Sequence, residues 1–519
     1  MKKIHTFLLL SLCLVLAGFV TGPVYANKIT VSNTKLTGRN KASKFVLVQF
    51  NLTWDNSFKT SSGPSNFDAA WVFVKYKVGD YGTWNHATLN NPTGHTFTGA
   101  STSQPDATGI FVYRSADATG TFTITNAQMR WNYGTDGVSD DAKVYVKVFA
   151  IEMVNIPSGN FQVGSSGQNT GEFRQANDLS TGAATATTFT ITGSAPTLQG
   201  NNSASSALNI STKGGSGNDQ LTGTTTVALS GSFPTGYNSF FCMKYEITQG
   251  QYRDFLNTLT YAQQVNRTAN LPTSAVGTGA LATAGSSRNG IEIKIQGTST
   301  GSTFPAVYGC DLSNNDVFDE AADGEWIACN YLSWNDVAAF LDWAALRPMT
   351  ELEYEKVARG TVTPVNNECA WGAAAFTAVV SITSGATESE ASGTAGANVT
   401  GSGAYTTGPV RVGMYANGST NRTTAGASYY GVMELSGNVW EQVVGIGNSN
   451  CRSFTGAVGN GAVNASGNAD AGNWPSAVNI GLRGGSYNSS STSLRVSDRS
   501  SMSTGGASRL SDVGGRGVR

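Results

Sequence analysis

Short runs of β-branched and aromatic residues alternate with polar turn residues in the first third of the chain. They cover residues 44–54, 70–78, 109–114, 120–125 and 143–150, and most are bounded by Gly, Asn, Asp or Ser. Runs of this length and composition predict β-strands. Because no helical pattern separates them, the sequence predicts an antiparallel β-sandwich of about 120 residues. No group of polar residues suited to catalysis occurs there, so we expect a spacer or adhesive module.

Amphipathic helical spacing is confined to a few stretches beyond residue 150. Thr248, Ser333 and Thr350 each stand where an N-cap is expected, directly before an amphipathic run. Gly360 is placed to end the third run. The sequence therefore predicts short, capped helices between long loops. Loops rich in Gly, Ser, Thr and Asn predict insertions at about residues 165–232, 267–310, 376–409 and 445–475.

The first 26 residues have the pattern of a secretory signal peptide. Two lysines precede an apolar run at residues 7–20, and small residues occupy the positions that a signal peptidase reads before a cut after Ala26. The run is short for a membrane-spanning helix, and no later stretch is long and apolar enough for one. We therefore predict a secreted, periplasmic or cell-surface chain, with a sandwich domain at residues 27–150 and a second domain at residues 151–519.

The composition agrees with an exported, loop-rich protein. Charged residues make up 13% of the chain, and 62 of its 519 residues are glycine, well above the usual share of about 7%. Removing Lys2 and Lys3 with the signal peptide leaves 31 basic and 34 acidic residues, a net charge of −3. A nearly neutral surface offers no electrostatic attraction to nucleic acid or anionic lipid, so neither is expected as a partner.

Five cysteines remain after cleavage, and in an oxidising compartment they can form at most two disulfide bonds. The sequence does not decide the pairing. No two of them are spaced as Cys-x-x-Cys, and only His86 and His95 remain as histidines, so we expect neither a zinc site nor a two-histidine iron site. The five are Cys242, Cys310, Cys329, Cys369 and Cys451.

Five blocks of the chain, in the right order, resemble the formylglycine-generating enzyme (sulfatase-modifying factor) family. The most specific are Gly-Asn-Val-Trp-Glu at residues 437–441 and Arg-Pro-Met-Thr-Glu-Leu-Glu-Tyr-Glu at residues 347–355. The resemblance implies an α+β, loop-rich domain with the family's variant of the C-type lectin fold, preceded by the all-β sandwich. The blocks are residues 153–164, 240–249, 330–360, 430–442 and 483–519.

The last block keeps the family's frame without its catalytic cysteines. Arg-Gly-Gly-Ser-Tyr at residues 483–487 opens it, Gly-Arg-Gly-Val-Arg at residues 515–519 closes it, and no cysteine lies between. In active members, two cysteine thiolates in this segment hold the copper ion that oxidises a substrate cysteine, and thiolates suit copper(I) as soft ligands. Here residues 488–493 read Asn-Ser-Ser-Ser-Thr-Ser, and serine hydroxyls stay protonated at neutral pH. We therefore predict neither copper nor this activity.

The resemblance also implies calcium, which the family binds through carbonyl and side-chain oxygens of the Gly-Asn-Val-Trp-Glu loop. Calcium prefers hard oxygen ligands from a flexible loop. In the alternative, Glu441 pairs with an arginine while Trp440 packs in the core. A second family site would begin at Asn398 and Val399, but residues 400–412 hold no carboxylate to complete it. The positions that match the first site are Glu434, Gly437, Val439 and Glu441.

Small hydrogen-bonding side chains and an aromatic follow the opening phrase of the last block. On loops held by a rigid scaffold, such side chains suit recognition. We predict a ligand-recognition surface there, with a functionless solvated loop as the alternative. The candidate residues are Tyr487, Asn488, Ser489, Ser491, Ser493 and Asp498.

Three classes of function stay open. The first is a secreted or cell-surface protein without catalysis, typical of bacterial surfaces, that binds an extracellular protein or glycan or has a structural role. The second is a formylglycine-generating oxidase with an unrecognised site, acting on a protein cysteine. The third is a self-assembling extracellular subunit, in which the sandwich of one chain docks on the second domain of the next copy. The absent cysteines favour the first class.

Overall fold

A computed structural model describes the chain at residues 28–165, 172–175, 187–200, 207–210, 221, 226–478 and 480–519. The predicted signal peptide and its cleavage site after Ala26 lie outside the described residues, as does much of the predicted insertion at 165–232. In the part of the chain that is described, no helix combines the length and the apolarity needed to cross a membrane.

Residues 28–156 contribute eight strands, and all five predicted β-rich runs are among them. These strands are β1 (Thr30–Asn40), β2 (Phe45–Lys59), β3 (Asp68–Val78), β4 (Asn85–His86), β5 (Ala100–Ser103), β6 (Ile110–Arg114), β7 (Ala118–Trp131) and β8 (Val144–Ile156). β2 and β7 continue past their predicted limits because they pair with each other as far as Lys59 and Ala118. Pairing with a neighbour, rather than composition, decides where these strands end.

The remaining strands are short, and long loops connect them. They are β9 (Phe161–Val163), β10 (Arg174–Gln175), β11 (Phe189–Ile191), β12 (Thr197–Gln199), β13 (Leu208–Asn209), β14 (Thr226–Ala228), β15 (Phe240–Met243), β16 (Ile291–Ile295), β17 (Val307–Cys310), β18 (Arg347–Pro348), β19 (Ile382–Thr383), β20 (Ala391–Ser392), β21 (Trp440–Val443), β22 (Gly481–Arg483), β23 (Val513–Gly514) and β24 (Gly517–Val518).

Among the described residues there are five α-helices, and none is longer than ten residues. A mostly-sheet chain with few helices agrees with the predicted loop-rich α+β region behind a β-rich one. The helices are α1 (Gln249–Leu256), α2 (Tyr261–Arg267), α3 (Trp334–Trp343), α4 (Glu351–Arg359) and α5 (Ser449–Arg452).

The three predicted helix starts are confirmed. The Thr248 hydroxyl accepts a hydrogen bond from the backbone N–H of Gln251, and the Gln251 side chain accepts one from the backbone N–H of Thr248. Thr350 and Glu353 form the same reciprocal pair ahead of α4, and α3 begins directly after Ser333. Each cap is worth about 1 kcal/mol because it satisfies a backbone donor that the helix leaves unpaired.

Residues 28–156, called here the N-terminal β-region, enclose an apolar core between two sheets. One sheet has the strand order β1-β2-β7, and the other is an eight-stranded sheet that includes β3, β5, β6 and β8. Alternate side chains of the facing strands fill the core, among them Phe50 and Trp54 from β2 and Val72 from β3. The alternation follows from the two-residue period of side chains along a strand.

β3 is buried on both faces because the C-terminal part of the chain covers its second face. Val72 and Val74 point into the core of the N-terminal β-region, whereas Trp71 and Phe73 belong to a core cluster with side chains of α1 and α3. The Trp71 Nε1–H donates to the carbonyl oxygen of Ala344 at 2.8 Å. The two parts of the chain therefore share packing across this strand.

The larger sheet continues through the position where the sequence predicted a domain boundary. Its order is β18-β24-β15-β8-β3-β6-β5, with β4 paired to β3. β8 includes residue 150 and pairs with β3 along one edge, while residues 153–156 of its other edge pair with β15. The division into two domains stays a prediction.

Block 153–164 contains the end of β8 and all of β9. These two strands do not pair with each other: the end of β8 pairs with β15, and β9 pairs with β11.

Six buried charged side chains join α4 to the last block, and we call them the buried ion cluster: Glu351, Glu355, Arg359, Glu368, Arg483 and Arg499. Arg499 Nε lies 2.6 Å from Glu351 Oε2, and Arg483 Nη2 lies 2.6 Å from Glu355 Oε1. Arg359 contacts Glu355 and Glu368. Three carboxylates balance three guanidinium groups, as burial of charge requires. Five of the six residues lie in family-like blocks, and their role in this cluster gives them a structural explanation.

Candidate calcium and recognition site

The last block encloses the Gly-Asn-Val-Trp-Glu loop in a small sheet. β21, which carries Trp440 and Glu441, pairs antiparallel with β22 and parallel with β23. Glu441 stands opposite Arg483 in the first pairing and opposite Gly514 in the second. The strands near the two ends of the last block therefore flank the loop that is predicted to bind calcium.

Glu434 and Glu441 each have one carboxylate oxygen that accepts no hydrogen bond in the described structure. Glu434 Oε1 accepts the N–H of Gly413 at 2.7 Å, and Glu441 Oε1 accepts from Arg516 Nε at 2.7 Å. Oε2 of each is buried and has no hydrogen-bond partner in the described structure. Because buried polar atoms normally have partners, two such oxygens in one loop fit the donor set of a hard cation. The alternative to a calcium site was an ion pair of Glu441 with an arginine and a Trp440 side chain packed in the core. The ion pair is present, but Trp440 is only half-buried.

The backbone of this loop is coiled in a left-handed conformation at several positions. Glu434, Gly437 and Asn438 have φ values of 55°, 94° and 64°. At Gly437 a Cβ atom would lie 2.3 Å from the carbonyl oxygen of Thr400, so only glycine is accommodated there. Non-glycine residues in this region carry strain, which tends to be retained at binding sites. The loop therefore has an unusual conformation that the surrounding structure maintains.

Three buried carboxyl groups surround the loop. Glu246 is fully buried and its Oε1 accepts the backbone N–H of Val439 at 3.1 Å. Burial raises the pKa of Glu246 well above its ordinary value, raises that of Glu434 to about 7 and also raises that of Glu441, although Arg516 lowers all three. Arg516 and, at Glu434, also Arg411 oppose the effect of burial without reversing it, so a cation at the site would stabilise the ionised carboxylates.

A cavity of about 10 Å³ adjoins Glu434 and is also lined by Asn398, Thr400, Tyr415 and Asn438. That volume corresponds to about one water-sized sphere. Across the described residues, no three His, Cys, Asp or Glu side chains are grouped to hold a metal ion. Calcium at this loop therefore depends on two carboxylates together with backbone carbonyl oxygens, a mixture that calcium accepts.

Asn398 lines this cavity and Val399 follows it in the chain, but the Asn398 side-chain oxygen and the Val399 carbonyl each already accept a hydrogen bond. The Asn398 side-chain oxygen accepts the N–H of Thr377 at 2.9 Å, and its amide nitrogen donates to the Thr423 carbonyl at 3.0 Å. The Val399 carbonyl accepts the N–H of Val379 at 2.9 Å. These contacts offer no support for a second calcium site, which stays a prediction.

The predicted recognition residues differ in their exposure. The Asp498 side chain is held by local hydrogen bonds, because its two carboxylate oxygens accept from the N–H and the hydroxyl of Ser500 at 2.9 and 3.0 Å. The neighbouring Ser490 and Thr492 are exposed and hydrogen-bonded to each other at 2.7 Å. The exposed candidates are Asn488 and Ser491, and the half-buried ones are Ser489, Ser493 and Asp498.

Tyr487 is not exposed on this surface, so its role in recognition gains no support from the structure and stays a prediction. Its side chain is only 3% exposed. The backbone N–H of Tyr487 donates to the Asn438 carbonyl at 2.8 Å, and its hydroxyl reaches the Ser511 carbonyl at 3.5 Å. These bonds hold the residue against the Gly-Asn-Val-Trp-Glu loop, so its ring supports the loop and does not face solvent.

The five described cysteines are all buried, and Cys242, Cys310, Cys329 and Cys369 are free thiols. Burial raises the pKa of Cys242, Cys310 and Cys329 above the ordinary value, and raises that of Cys369 to about 12. The thiolate is the nucleophilic and metal-binding form. These four thiols therefore stay protonated at neutral pH.

Glu246 and Arg516 belong to the charged surroundings of the loop, although the sequence did not single them out. Glu246 lies in block 240–249, and Arg516 lies in the closing phrase of the last block. In the sequence, only their membership in family-like blocks indicated that these two residues are important. Only the fold brings both of them to Glu441 and its neighbours, because they are distant from it along the chain.

The arrangement defines a class of protein with a loop-rich α+β scaffold. In this class the last block contributes to a buried ion cluster, and its strands flank the Gly-Asn-Val-Trp-Glu loop. A family model, described as the sulfatase-modifying factor enzyme 1-like domain, matches residues 197–519, more than half of the chain. The chain therefore belongs to the sulfatase-modifying factor family, and the predicted resemblance is confirmed. No curated protein matches the chain.

Proposed function

We propose that this chain is an exported, non-catalytic member of its family that recognises an extracellular protein or glycan. The observation that carries the proposal is the last block, where a serine-rich loop stands in place of the two catalytic cysteines. The scaffold is the family's variant of the C-type lectin fold, spanning residues 151–519. A rigid scaffold that holds variable polar loops is suited to binding.

The chemistry of the exposed loop supports this proposal. Asn488, Ser490, Ser491 and Thr492 present amide and hydroxyl groups to solvent. Directly after them, Leu494 and Val496 are fully buried, so both the loop and its return into the core are anchored. A loop that is held in place loses little conformational entropy on binding, which leaves more of the contact energy for affinity.

We further propose that calcium stabilises the loop beside this surface. Glu434 and Glu441 would hold it with the carbonyl oxygens of Gly437 and Val439. The ion would stabilise the ionised carboxylates and fix the loop against which Tyr487 packs. Its role would be structural, because the site contributes no reactive group.

Replacing Asn488 and Ser491 together by tryptophan should weaken ligand binding at least tenfold, or about 1.4 kcal/mol. The bulky rings would occupy the space in which a ligand contacts the loop. The measurement is the apparent Kd of fluorescently labelled protein on intact cells of the producing organism. A matched control, Ser302→Trp with Thr303→Trp, changes two exposed positions outside the last block and should bind like the wild type.

Unchanged binding by the Asn488→Trp, Ser491→Trp variant would contradict the recognition surface. The oxidase alternative has its own test: protein loaded with copper and given dioxygen and a cysteine-containing peptide should form no aldehyde, and repeated turnover would overturn the non-catalytic proposal. Electron microscopy of the purified chain separates the assembly alternative, because sheets or filaments would favour a structural subunit.

Adding calcium should raise the free energy of unfolding by about 2.7 kcal/mol at 100 times the Kd, since the ion binds only the folded loop. Thermal unfolding in calcium and in a chelator measures this difference. Glu434→Gln should abolish the calcium effect, because it replaces one of the two carboxylates. Magnesium should have a smaller effect, because it demands stricter octahedral geometry.

Glu292→Gln is the matched control for the calcium test. Glu292 is also buried, with an unpartnered Oε1 and a pKa that burial raises to about 7, but it lies far from the loop in sequence. Its variant should keep the calcium effect. If Glu292→Gln abolished the effect and Glu434→Gln kept it, the ion would lie near Glu292 and the proposed site would be wrong.

A further inference from the structure

A groove of about 1,110 Å³ lies between the N-terminal β-region and the C-terminal part of the chain. β1 and β8 form one wall, with Val31 and Val148 among their lining residues, and α1 and residues 319–326 contribute to the other. Phe149 and Trp326, both half-buried, also line it. None of the recognition residues of the last block lines this groove, so it is a separate surface.

The edge of β8 that faces this groove has no neighbouring strand over residues 144–151 of the described structure, and at Glu152 the carbonyl already accepts the N–H of Lys244 at 2.9 Å. The Gly79 N–H donates to the Lys143 carbonyl across the β3–β8 ladder. In an antiparallel ladder, hydrogen-bonded and non-hydrogen-bonded residue pairs alternate. The odd-numbered residues of β8 therefore bond to β3, as Lys143 does. The backbone N–H and C=O groups of Val146, Val148 and Ala150 point away from β3, toward the groove. Within the described part of the chain, no strand pairs with these groups.

The opposite wall of the gap is also a strand edge. β1 pairs with β2 alone among the described strands, so its outer edge is open. Val31, Val146, Val148 and Ala150 are only partly buried against the core of the N-terminal β-region. One further strand laid along β8 would pair the open backbone groups and cover these apolar side chains.

The groove is acidic. Its lining includes five carboxylates, Asp254, Asp319, Glu320, Glu325 and Glu388, and two cations, Lys147 and Arg253. Arg253 pairs with three of those carboxylates. Lys294 and Lys28, which do not line the groove, pair with Asp319 and Glu388. One negative charge remains in excess, and it attracts a positively charged occupant and repels an acidic one.

We propose that this groove binds an extended, basic peptide segment of another protein, which adds to β8 as an antiparallel or parallel strand. In such β-addition the main-chain hydrogen bonds supply affinity, and alternate side chains supply specificity. Apolar side chains of the peptide cover Val146 and Val148, and its lysines or arginines face the acidic rim. At about 3.3 Å per residue, residues 144–151 pair with a segment of about eight residues, so a peptide of about nine covers the open edge.

A small ligand or a rigid globular surface satisfies these observations less well. The open groups of β8 form a linear row at strand spacing, and an extended backbone is the partner that pairs with all of them at once. The proposal is independent of the recognition loop and of calcium. Either one can fail while the other holds.

The test uses a nine-residue peptide of alternating lysine and valine with the full-length protein. Fluorescence anisotropy at 20 mM salt should give a Kd below about 100 μM, or about −5.5 kcal/mol. Raising the salt to 300 mM should weaken binding at least about threefold, because the charges lie at an open groove. Hydrogen exchange should show new protection of the amides of Val146, Val148 and Ala150.

Two peptides and two variants separate β-addition from simple charge attraction. A glutamate–valine peptide should bind at least about tenfold weaker, and a fully N-methylated lysine–valine peptide should lose binding. Val148→Pro removes an N–H that points into the groove and is tolerated at a strand edge; it should weaken binding at least about tenfold. Val148→Ala keeps the N–H and should retain most of the affinity.

Equal binding of the N-methylated peptide, or protection outside residues 144–151, would overturn the proposal in favour of attraction to the acidic rim. No binding of the lysine–valine peptide at 1 mM would overturn it as well. Thermal unfolding of both variants without peptide checks that each is folded, so that a loss of binding reflects the strand edge.

Discussion

Glu351→Ala is expected to destabilise the protein by about 3–5 kcal/mol, the usual cost of removing one partner from a buried ion pair. Glu351 accepts from Arg499 at 2.6 and 3.0 Å and from the Ile446 N–H at 2.9 Å, and its Oε2 lies 3.4 Å from Arg483. The variant leaves two buried guanidinium groups facing a smaller negative charge. Because both arginines belong to the last block, the loss should also loosen that block.

Urea unfolding gives the free energy of unfolding of this variant, and hydrogen exchange locates the loosened segment. Glu351→Gln keeps an oxygen acceptor and should lose less stability than Glu351→Ala. Glu388→Ala breaks the exposed pair of Glu388 with Lys28 and should change stability little, because solvent screens such pairs. A loss below about 1 kcal/mol for Glu351→Ala would show that the cluster does not support the fold.

Glu152→Gln should flatten the dependence of stability on pH between pH 5 and pH 8. Glu152 is buried on β8, 3.2 Å from Lys244 Nζ, and Lys244 also pairs with Asp68 at 2.9 Å. Burial raises the pKa of Glu152 to about 7 and outweighs the opposing effect of Lys244, and Asp68 adds a smaller increase. One ammonium group therefore faces two buried carboxylates, and the second is better tolerated when it is protonated.

The direction of the effect follows from linkage. The ordinary pKa of 4.5 applies to the unfolded chain, so the folded protein binds this proton more tightly. Stability from Glu152 is complete below about pH 4.5 and is lost as the pH rises through about 7, a change of about 3 kcal/mol. Asp68 raises the pKa of Lys244 well above its ordinary value despite burial, so Lys244 stays charged throughout this range.

Urea midpoints at pH 5, 6, 7 and 8, in a chelator, compare the wild type with Glu152→Gln. The wild type should lose stability relative to the variant as the pH rises. Other buried carboxylates titrate in both proteins, so the difference between the two curves isolates Glu152. Glu388→Gln serves as the control for an exposed carboxylate and should follow the wild type. Parallel curves for the wild type and Glu152→Gln would contradict the assignment.

Much of the local structure was predictable. The caps at Thr248 and Thr350 involve residues three positions apart, and such interactions are decided within one turn of helix. The β-rich runs of the N-terminal β-region formed strands because their residues favour a pleated, half-buried backbone. The ends of β2 and β7 were not predictable, since they depend on a partner strand from another part of the chain.

The candidate site was predictable only in part. Glu434 and Glu441 lie seven positions apart, so a motif in one loop was sufficient to place them together. Glu246 and Arg516 reach the same loop from distant blocks, and no local pattern shows this. Tyr487 was predicted on the surface because polar residues follow it, yet its side chain is buried and its backbone N–H bonds to Asn438.

The sequence by itself determined the family, through motifs that retain the frame of the last block, and it determined that no cysteine occupies the place of the catalytic pair. The tertiary structure decided which charges meet. It gathered the buried ion cluster, left unpartnered oxygens on Glu434 and Glu441, and left one edge of β8 open. The physical reason is that a motif records interactions among neighbours in the chain, whereas burial and pairing depend on segments that only folding brings together.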